Sequence, residues 1–259
     1  MTCSIKLDNI SMRYGEKLAL DDVSLEIPEG TIYGVLGPNG SGKTTMMKII
    51  LGLLKQTRGK ANVCGYDSIK DPLEIKAISG YVPETPILYE SMTPSELFSF
   101  IASIRRIDEN TFRRRIDALI DAFGVSEYMN DFIGSLSFGN RQKIAIISAI
   151  MHDPKILIVD EGINGLDPRS AKLFKSILTD MRDHGKIIVF STHILEIAES
   201  LCDHVAILYN GRIVANGTIE DLRSAANEPS QNLEEIFLKL TNAEDVPDVA
   251  RYLRDEIEH

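Results

Sequence analysis

Cysteine is scarce in this 259-residue chain: Cys3, Cys64 and Cys202 are widely spaced and odd in number. That fits neither a disulfide framework nor a thiolate metal site, and it predicts a reducing compartment. Long apolar runs are missing too. No stretch approaches the roughly 18 to 20 residues that a bilayer-spanning helix needs, and the opening MTCSIKLDNI has no basic-then-apolar leader, so the chain is not expected to cross a membrane by itself. Basic charge is in deficit, with 28 Lys and Arg against 38 Asp and Glu, a net charge of -10 and a pI near 5.1. Nucleic acid is therefore not expected as a partner, because neutralising phosphates requires clustered cations. The one basic cluster, Arg113, Arg114 and Arg115, lies in helical sequence and reads as a solvated helix face. No internal repeat is evident.

With 44% hydrophobic and 25% charged residues, the chain should fold as one large domain or a domain with lobes. The segments IKLDNISMRY and LALDDVSLEI alternate apolar and polar residues around the turn GEK, as two strands of an antiparallel hairpin do. TIYGVLG is different: a short apolar run ending in glycine, the pattern of a strand buried on both faces. A glycine-rich turn follows, then KTTMMKIILGLL, whose apolar spacing predicts a helix closed by Gly59. From about 86 to 145 the pattern becomes helical, with SELFSFIASIRR and FRRRIDALIDAFG between Thr-Pro starts and Gly stops, which predicts an inserted helical lobe. KILIVDE and KIIVFST restore parallel-strand candidates separated by helical sequence, and HVAILYNGRIVANG closes with a hairpin. With GPNGSGKTT forming the glycine-rich turn between strand and helix, the reading is an α/β fold, a P-loop NTPase core with an antiparallel β subdomain and an inserted α-helical lobe. The catalytic domain spans 1–224. The linker RSAANEPSQN, the amphipathic helix LEEIFLKL and an acidic end form a C-terminal extension over 225–259.

The strongest chemical signal is Gly37-Pro38-Asn39-Gly40-Ser41-Gly42-Lys43-Thr44-Thr45, which fits G-x-x-x-x-G-K-[ST] between a strand and a helix. Glycines let backbone N–H groups wrap phosphates, and the helix N-terminus adds unpaired donors and a favourable dipole. Lys43 supplies a point charge for the β- and γ-phosphates, Thr44 a hydroxyl for Mg²⁺, and Thr45 a further phosphate donor. A metal site needs a carboxylate, and ILIVDE places Asp160 and Glu161 at the carboxyl end of a buried strand. Asp160 is expected to hold Mg²⁺ through water, and Glu161 to act as general base on the attacking water. His193 follows the next such strand, within reach of a γ-phosphate, and has no partner at metal-ligand spacing.

The ordered set GPNGSGKTT, GYVPE, LSFGNRQ, ILIVDE, NGLDP and STH resembles the nucleotide-binding subunit of an ATP-binding cassette transporter, over residues 5 to about 240. No Asn-Lys-x-Asp guanine reader is visible. The resemblance implies that Tyr14 stacks on adenine and that Glu84 occupies the Gln-loop position, as in single-cassette bacterial exporter subunits, contacting Mg²⁺ or its water. It implies that Ser137 and Gly139 of one subunit touch the γ-phosphate held by another, and that Asp167 reaches across the same dimer. The implied partners are a second cassette subunit, identical or not, and a separate transmembrane permease docking near Glu84 and the helical lobe. The implied location is the cytoplasmic face of the membrane. The implied activity is ATP hydrolysis driving transport, with export favoured by YVPE and LEEIFLKLT. A soluble cassette switch acting on a cytosolic assembly, and a scaffold with decayed hydrolysis, remain as alternatives. Three positions depart from the family pattern: Phe138 stands for a glycine, Asn140 for a glutamine, and Gly162 for a proline expected to stiffen its turn.

Overall fold

The computed structural model describes residues 3–225 and 233–240; the linker residues 226–232 and the acidic end from 241 lie outside the described residues. Strands β1 (Ser4–Tyr14) and β2 (Lys17–Pro28) form the expected antiparallel hairpin, paired from Tyr14↔Lys17 to Ser4↔Pro28 with register shifts between Leu7 and Arg13. Strand β3 (Thr31–Leu36) is buried along its whole length and leads through the glycine-rich loop into α1 (Lys43–Ile50). This helix stops earlier than its apolar spacing predicts. Gly52, at φ +61°, donates its N–H to Ile49 O, and Leu53 donates to Lys48 O, a left-handed C-terminal turn that the helix cannot continue through. Gly59 lies instead in β4 (Arg58–Val63), where its Cα sits so close to the backbone of Asp8 and Asn9 that a side chain would collide.

Strand β5 (Tyr66–Asp67) completes a four-stranded antiparallel sheet in the order β2-β1-β4-β5. Its pairing overturns one expectation from cysteine spacing. Strand β1 pairs with β4 so that Ile5 faces Val63, which brings Cys3 beside Cys64 across 61 residues of sequence, and the two form a disulfide. Distance along the chain is no guide to distance across antiparallel strands, so cysteine spacing carries no information about compartment here. Cys202 is buried and free, its thiol pushed up to about 12 by burial and the nearby Asp203.

Helix α2 (Pro72–Ile78) and strand β6 (Ser79–Val82) precede the helical segment. There, α3 (Pro94–Arg105) begins on a reciprocal capping box between Thr93 and Glu96, and α4 (Glu109–Phe123) begins on Asp108 and ends on Gly124 at φ +64°. Then come α5 (Phe138–Ile150), β7 (Ile156–Asp160), α6 (Pro168–Asp183), β8 (Ile187–Thr192), α7 (Leu195–Leu201), the hairpin β9 (His204–Tyr209) and β10 (Arg212–Gly217), α8 (Ile219–Ala225) and α9 (Leu233–Leu240). The six-stranded sheet runs β10-β9-β3-β8-β7-β6, parallel except for β10. Alternate residues of its central strands feed two cores. Ile32, Leu36, Leu157, Val159, Ile188 and Phe190 pack towards α5, α6, α7 and α9. Tyr33, Val35, Ile156, Ile158, Val189 and Ile187 pack towards α1 and the antiparallel sheet. Burial on both faces explains why these strands read as continuous apolar runs.

Beside this sheet, a groove of about 390 Å³ opens between the end of α1, β6, α3 and α5, with Leu51, Leu53, Tyr81, Ile101, Ile104 and Arg105 in its walls. His152 lines it as well, and its Nε2 sits 3.1 Å from Ser79 O. Donation to that carbonyl makes Nδ1 the unprotonated nitrogen, and Nδ1 is buried without a partner. Burial first, and the Arg105 charge second, depress the imidazole to about 4. A neutral buried histidine stabilises the fold fully above the unfolded value of 6.5 and loses that contribution as pH falls towards 4. At pH 5 the loss is about 2 kcal/mol, roughly 5 °C in melting temperature for a chain of this size. His152→Gln is expected to show a smaller drop in melting temperature between pH 7.5 and pH 5 than the parent; equal drops measured by calorimetry would refute the assignment.

Candidate functional site

The carboxyl ends of β3, β8 and β7 lie side by side, because Leu36 pairs with Thr192 and Asp160 with Ser191. Each strand end therefore delivers its next residues to one edge of the sheet. From β3 comes the glycine-rich loop. Gly37 and Gly42 both have positive φ, and a side chain on Gly37 would strike Leu208 O at 2.2 Å, so only glycine admits this path. Gly40, also at positive φ, faces open space. The loop places Lys43 at the first turn of α1, its Nζ donating to Gly37 O at 2.7 Å and to Pro38 O at 3.2 Å. The Ser41 hydroxyl is buried in the same loop without a hydrogen-bond partner.

From β7 come the two carboxylates. Adjacent strand residues point to opposite faces, yet both groups are needed at one edge. The chain resolves this at Glu161, which takes φ +52°, a left-handed conformation that non-glycine residues seldom adopt. Its N–H is held by Ser191 O and Ser191 Oγ, each at 3.2 Å, and its carbonyl accepts Asn164 N–H at 3.1 Å. So held, the Glu161 carboxylate accepts from His193 Nδ1 at 2.8 Å and Asn164 Nδ2 at 3.2 Å, while Oε1 stands 3.7 Å from Lys43 Nζ. Asp160 accepts a 2.6 Å hydrogen bond from Ser191 Oγ. The Tyr81 phenol is raised well above its ordinary value, by burial first and then by the Asp160 carboxylate.

A cleft of about 320 Å³ joins these groups: Asn39, Gly40, Gly42, Lys43, Thr44 and Thr45 from the loop and α1, Tyr14 at the end of β1, Glu84 after β6, and Glu161. Residues drawn from four separate stretches of sequence thus share one cavity. Lys17 and Ala19 of β2 line it too. They carry no sequence signal beyond being in the hairpin that delivers Tyr14. Among the described residues no cluster of three or more His, Cys, Asp and Glu side chains could hold a metal alone. Thr44 lines the cleft, whereas Asp160 does not and lies buried against Ser191 one residue before the cleft-lining Glu161; the hard oxygens of Thr44 and Asp160 are of the kind Mg²⁺ takes beside phosphate and water.

Ser137, Gly139 and Asp167 do not line this cleft. Ser137 caps α5, its hydroxyl accepting Asn140 N–H at 3.3 Å. Phe138 does not obstruct it: the ring lies against Gly165, where an added Cβ would sit 2.5 Å from the ring, and Gly139 in turn backs onto Gly165 O. Asp167 caps α6 by accepting Ser170 N–H and Oγ–H, and it pairs with Lys143 of α5 at 2.7 Å. Those bonds hold its carboxyl well below the usual carboxylate range, Lys143 most of all. Gly162 is not a loosened turn, as its replacement of proline implied. A Cβ there would meet Val82 Cγ1 at 2.6 Å and Val159 Cγ1 at 2.9 Å, and its carbonyl is gripped by Gln142 Nε2 at 3.0 Å. Ser191, Asn164, Lys143 and Gln142 are the contributors that sequence reading missed; each lies within or next to a quoted motif, but its partner is known only from the fold.

Comparison with known proteins agrees with this geometry. Residues 20–164 match the ABC transporter family model. The chain is 37% identical over 240 residues to the ABC transporter ATP-binding protein NatA of Bacillus subtilis, covering 90% of this chain and 96% of that protein. A solved ATP-binding subunit of an ABC transporter superposes with a TM-score of 0.88 at 32% identity, over 92% of this chain and 99% of that one. A dimeric ATP-binding cassette in a post-hydrolysis state, bound to ADP and Pi, superposes with a TM-score of 0.75 at 26% identity, over 83% of this chain and 98% of that one. The chain belongs to the ABC transporter family, as an ATP-binding, ATP-hydrolysing subunit.

Proposed function

We propose that two cassettes close head to tail around two Mg-ATP molecules, hydrolyse them, and drive a separate transmembrane permease, in the direction of export. The observation that carries this reading is the division of the site. The cleft gathers the loop, Tyr14, Glu84 and Glu161, whereas Ser137 and Gly139 stand outside it. A nucleotide in the cleft therefore needs a second chain to supply the α5 N-terminus to its γ-phosphate. That a similar cassette is dimeric with ADP and Pi bound supports dimerisation around nucleotide.

In this reading Tyr14, 47% exposed at the rim, stacks on adenine. The backbone from Gly37 to Gly42, Lys43 and Thr45 bind the phosphates, and Thr44, Asp160 and Glu84 would hold Mg²⁺, directly or through water. When bound, Mg²⁺ neutralises charge developing on the β- and γ-oxygens. Glu161 accepts a proton as water attacks the γ-phosphorus and the β–γ bridging oxygen leaves with ADP. His193 and Asn164 orient that carboxylate, and Asp167, fixed by Lys143, sets the D-loop against the partner chain. Closed-state contacts to the γ-phosphate bias the dimer, and hydrolysis removes the bias.

The permease reading is supported by the groove between core and helical lobe, where Leu53 and Ile104 are large apolar side chains left exposed, and by the exposed Ile87, Tyr89 and Phe100 elsewhere on the helical segment. Among the described residues no helix is long and apolar enough to cross a membrane, consistent with a peripheral subunit held by another chain.

Lys43→Ala is expected to weaken ATP binding at least a hundredfold in equilibrium titration; micromolar affinity retained would refute the phosphate cradle. For Glu161→Gln we expect ATP still bound, turnover down more than a hundredfold and dimers accumulating on size exclusion, whereas parental turnover would remove Glu161 as base. Ile104→Glu should abolish co-purification of a multi-spanning protein from solubilised membranes without changing the isolated subunit's ATPase rate. Undiminished recovery would place the docking surface elsewhere.

A further inference from the structure

The hydroxyl of Ser191 lies at a point where the two carboxylates of the site meet. It is fully buried, donates to Asp160 Oδ1 at 2.6 Å, and receives Glu161 N–H at 3.2 Å. The first is a short charge-assisted bond that sets the rotation of the Asp160 carboxylate. The second, shared with Ser191 O at 3.2 Å, adds a hold on a left-handed residue whose relaxation towards the extended path of β7 would swing the Glu161 carboxylate away from Lys43 and His193. We infer that Ser191 is a positioning residue for hydrolysis: one hydroxyl couples the carboxylate that faces the metal to the strained backbone that aims the base.

This rests on the roles proposed above for Asp160 and Glu161, and it adds a dependence they do not carry. Neither residue's own geometry is independent of β8. The register Asp160↔Ser191 places the hydroxyl opposite the metal carboxylate, and the next residue but one is His193, which bonds the base directly. Strand β8 thus contributes to both halves of the catalytic pair, through a fully buried side chain that does not line the cleft. Residues that orient metal ligands in this way change metal affinity by about 10- to 100-fold when removed.

The test is a Mg²⁺ titration of the full chain saturated with N-methylanthraniloyl-ATP, followed by fluorescence, alongside steady-state ATPase and thermal melts. Three variants separate hydroxyl from packing. Ser191→Ala removes the group, Ser191→Cys fills the same space with a poor donor, and Ser191→Thr restores a hydroxyl. The expected result is a Mg²⁺ midpoint about tenfold higher for Ala and for Cys, kcat reduced at least tenfold at saturating Mg²⁺ with KM for ATP within twofold of the parent, and recovery towards the parent for Thr. An unchanged midpoint in Ser191→Ala would overturn the inference. So would full recovery by Ser191→Cys, because packing alone would then suffice. If the parent chain itself shows no Mg²⁺-dependent response, the nucleotide-site reading fails and the inference with it; a normal parent response with unaffected variants sinks the inference alone.

Discussion

The register of three buried parallel strands is the constraint on which the rest of the molecule depends. Leu36 lies opposite Thr192, and Ser191 opposite Asp160, so the glycine-rich loop, the acidic pair and the histidine leave the sheet at one level. Shifting one strand by a single residue would turn its apolar side chains from one core to the other and carry the residues at its carboxyl end to the wrong face. The site is therefore protected by the same burial that holds the sheet together. Large apolar cores on both faces make a slip far costlier than any one hydrogen bond within the cleft.

The departures from the family pattern look different once packing is considered. Phe138 would read as an obstruction in a loop expected to approach phosphate, but its ring is accommodated by Gly165, leaving Ser137 and Gly139 unobstructed. Gly162 would read as slack, but Val82 and Val159 leave no room there for a Cβ, and Gln142 anchors its carbonyl. With the Lys143–Asp167 ion pair, these contacts tie the start of α5 to the loop after Glu161 within one subunit. A displacement at either is transmitted to the other by contact.

Strand β6 joins two surfaces. Tyr81 lines the groove beside the helical segment, and Glu84, just beyond the strand, lines the nucleotide cleft. The path between them is only a few residues of a hydrogen-bonded strand paired to β7, which ends at Asp160. In the proposed function, coupling between a partner docked in the groove and the cleft would pass through these few residues.

By itself the sequence determined the glycine-rich loop, the buried strands and the acidic pair, since these depend on local rules: glycine where φ is positive, unbroken apolar runs where both faces are covered, carboxylates at a strand end. It also determined the hairpins and the helical segment, through alternation and capping residues such as Thr93, Glu96 and Asp108. The end of α1 differs from the spacing because Gly52 and Gly59 both punctuate the sequence, and the fold distinguishes them: Gly52 closes the helix on Ile49 O, whereas Gly59 packs against Asp8 and Asn9 in the sheet. The tertiary structure alone decided that Cys3 meets Cys64, that Glu161 turns left-handed to bring its carboxylate to Lys43, and that Ser191 bridges both acids. Each of these is a meeting of residues from separate elements of the fold. Local propensity records what a segment can do, whereas the pairing of segments is set by the burial of the whole sheet.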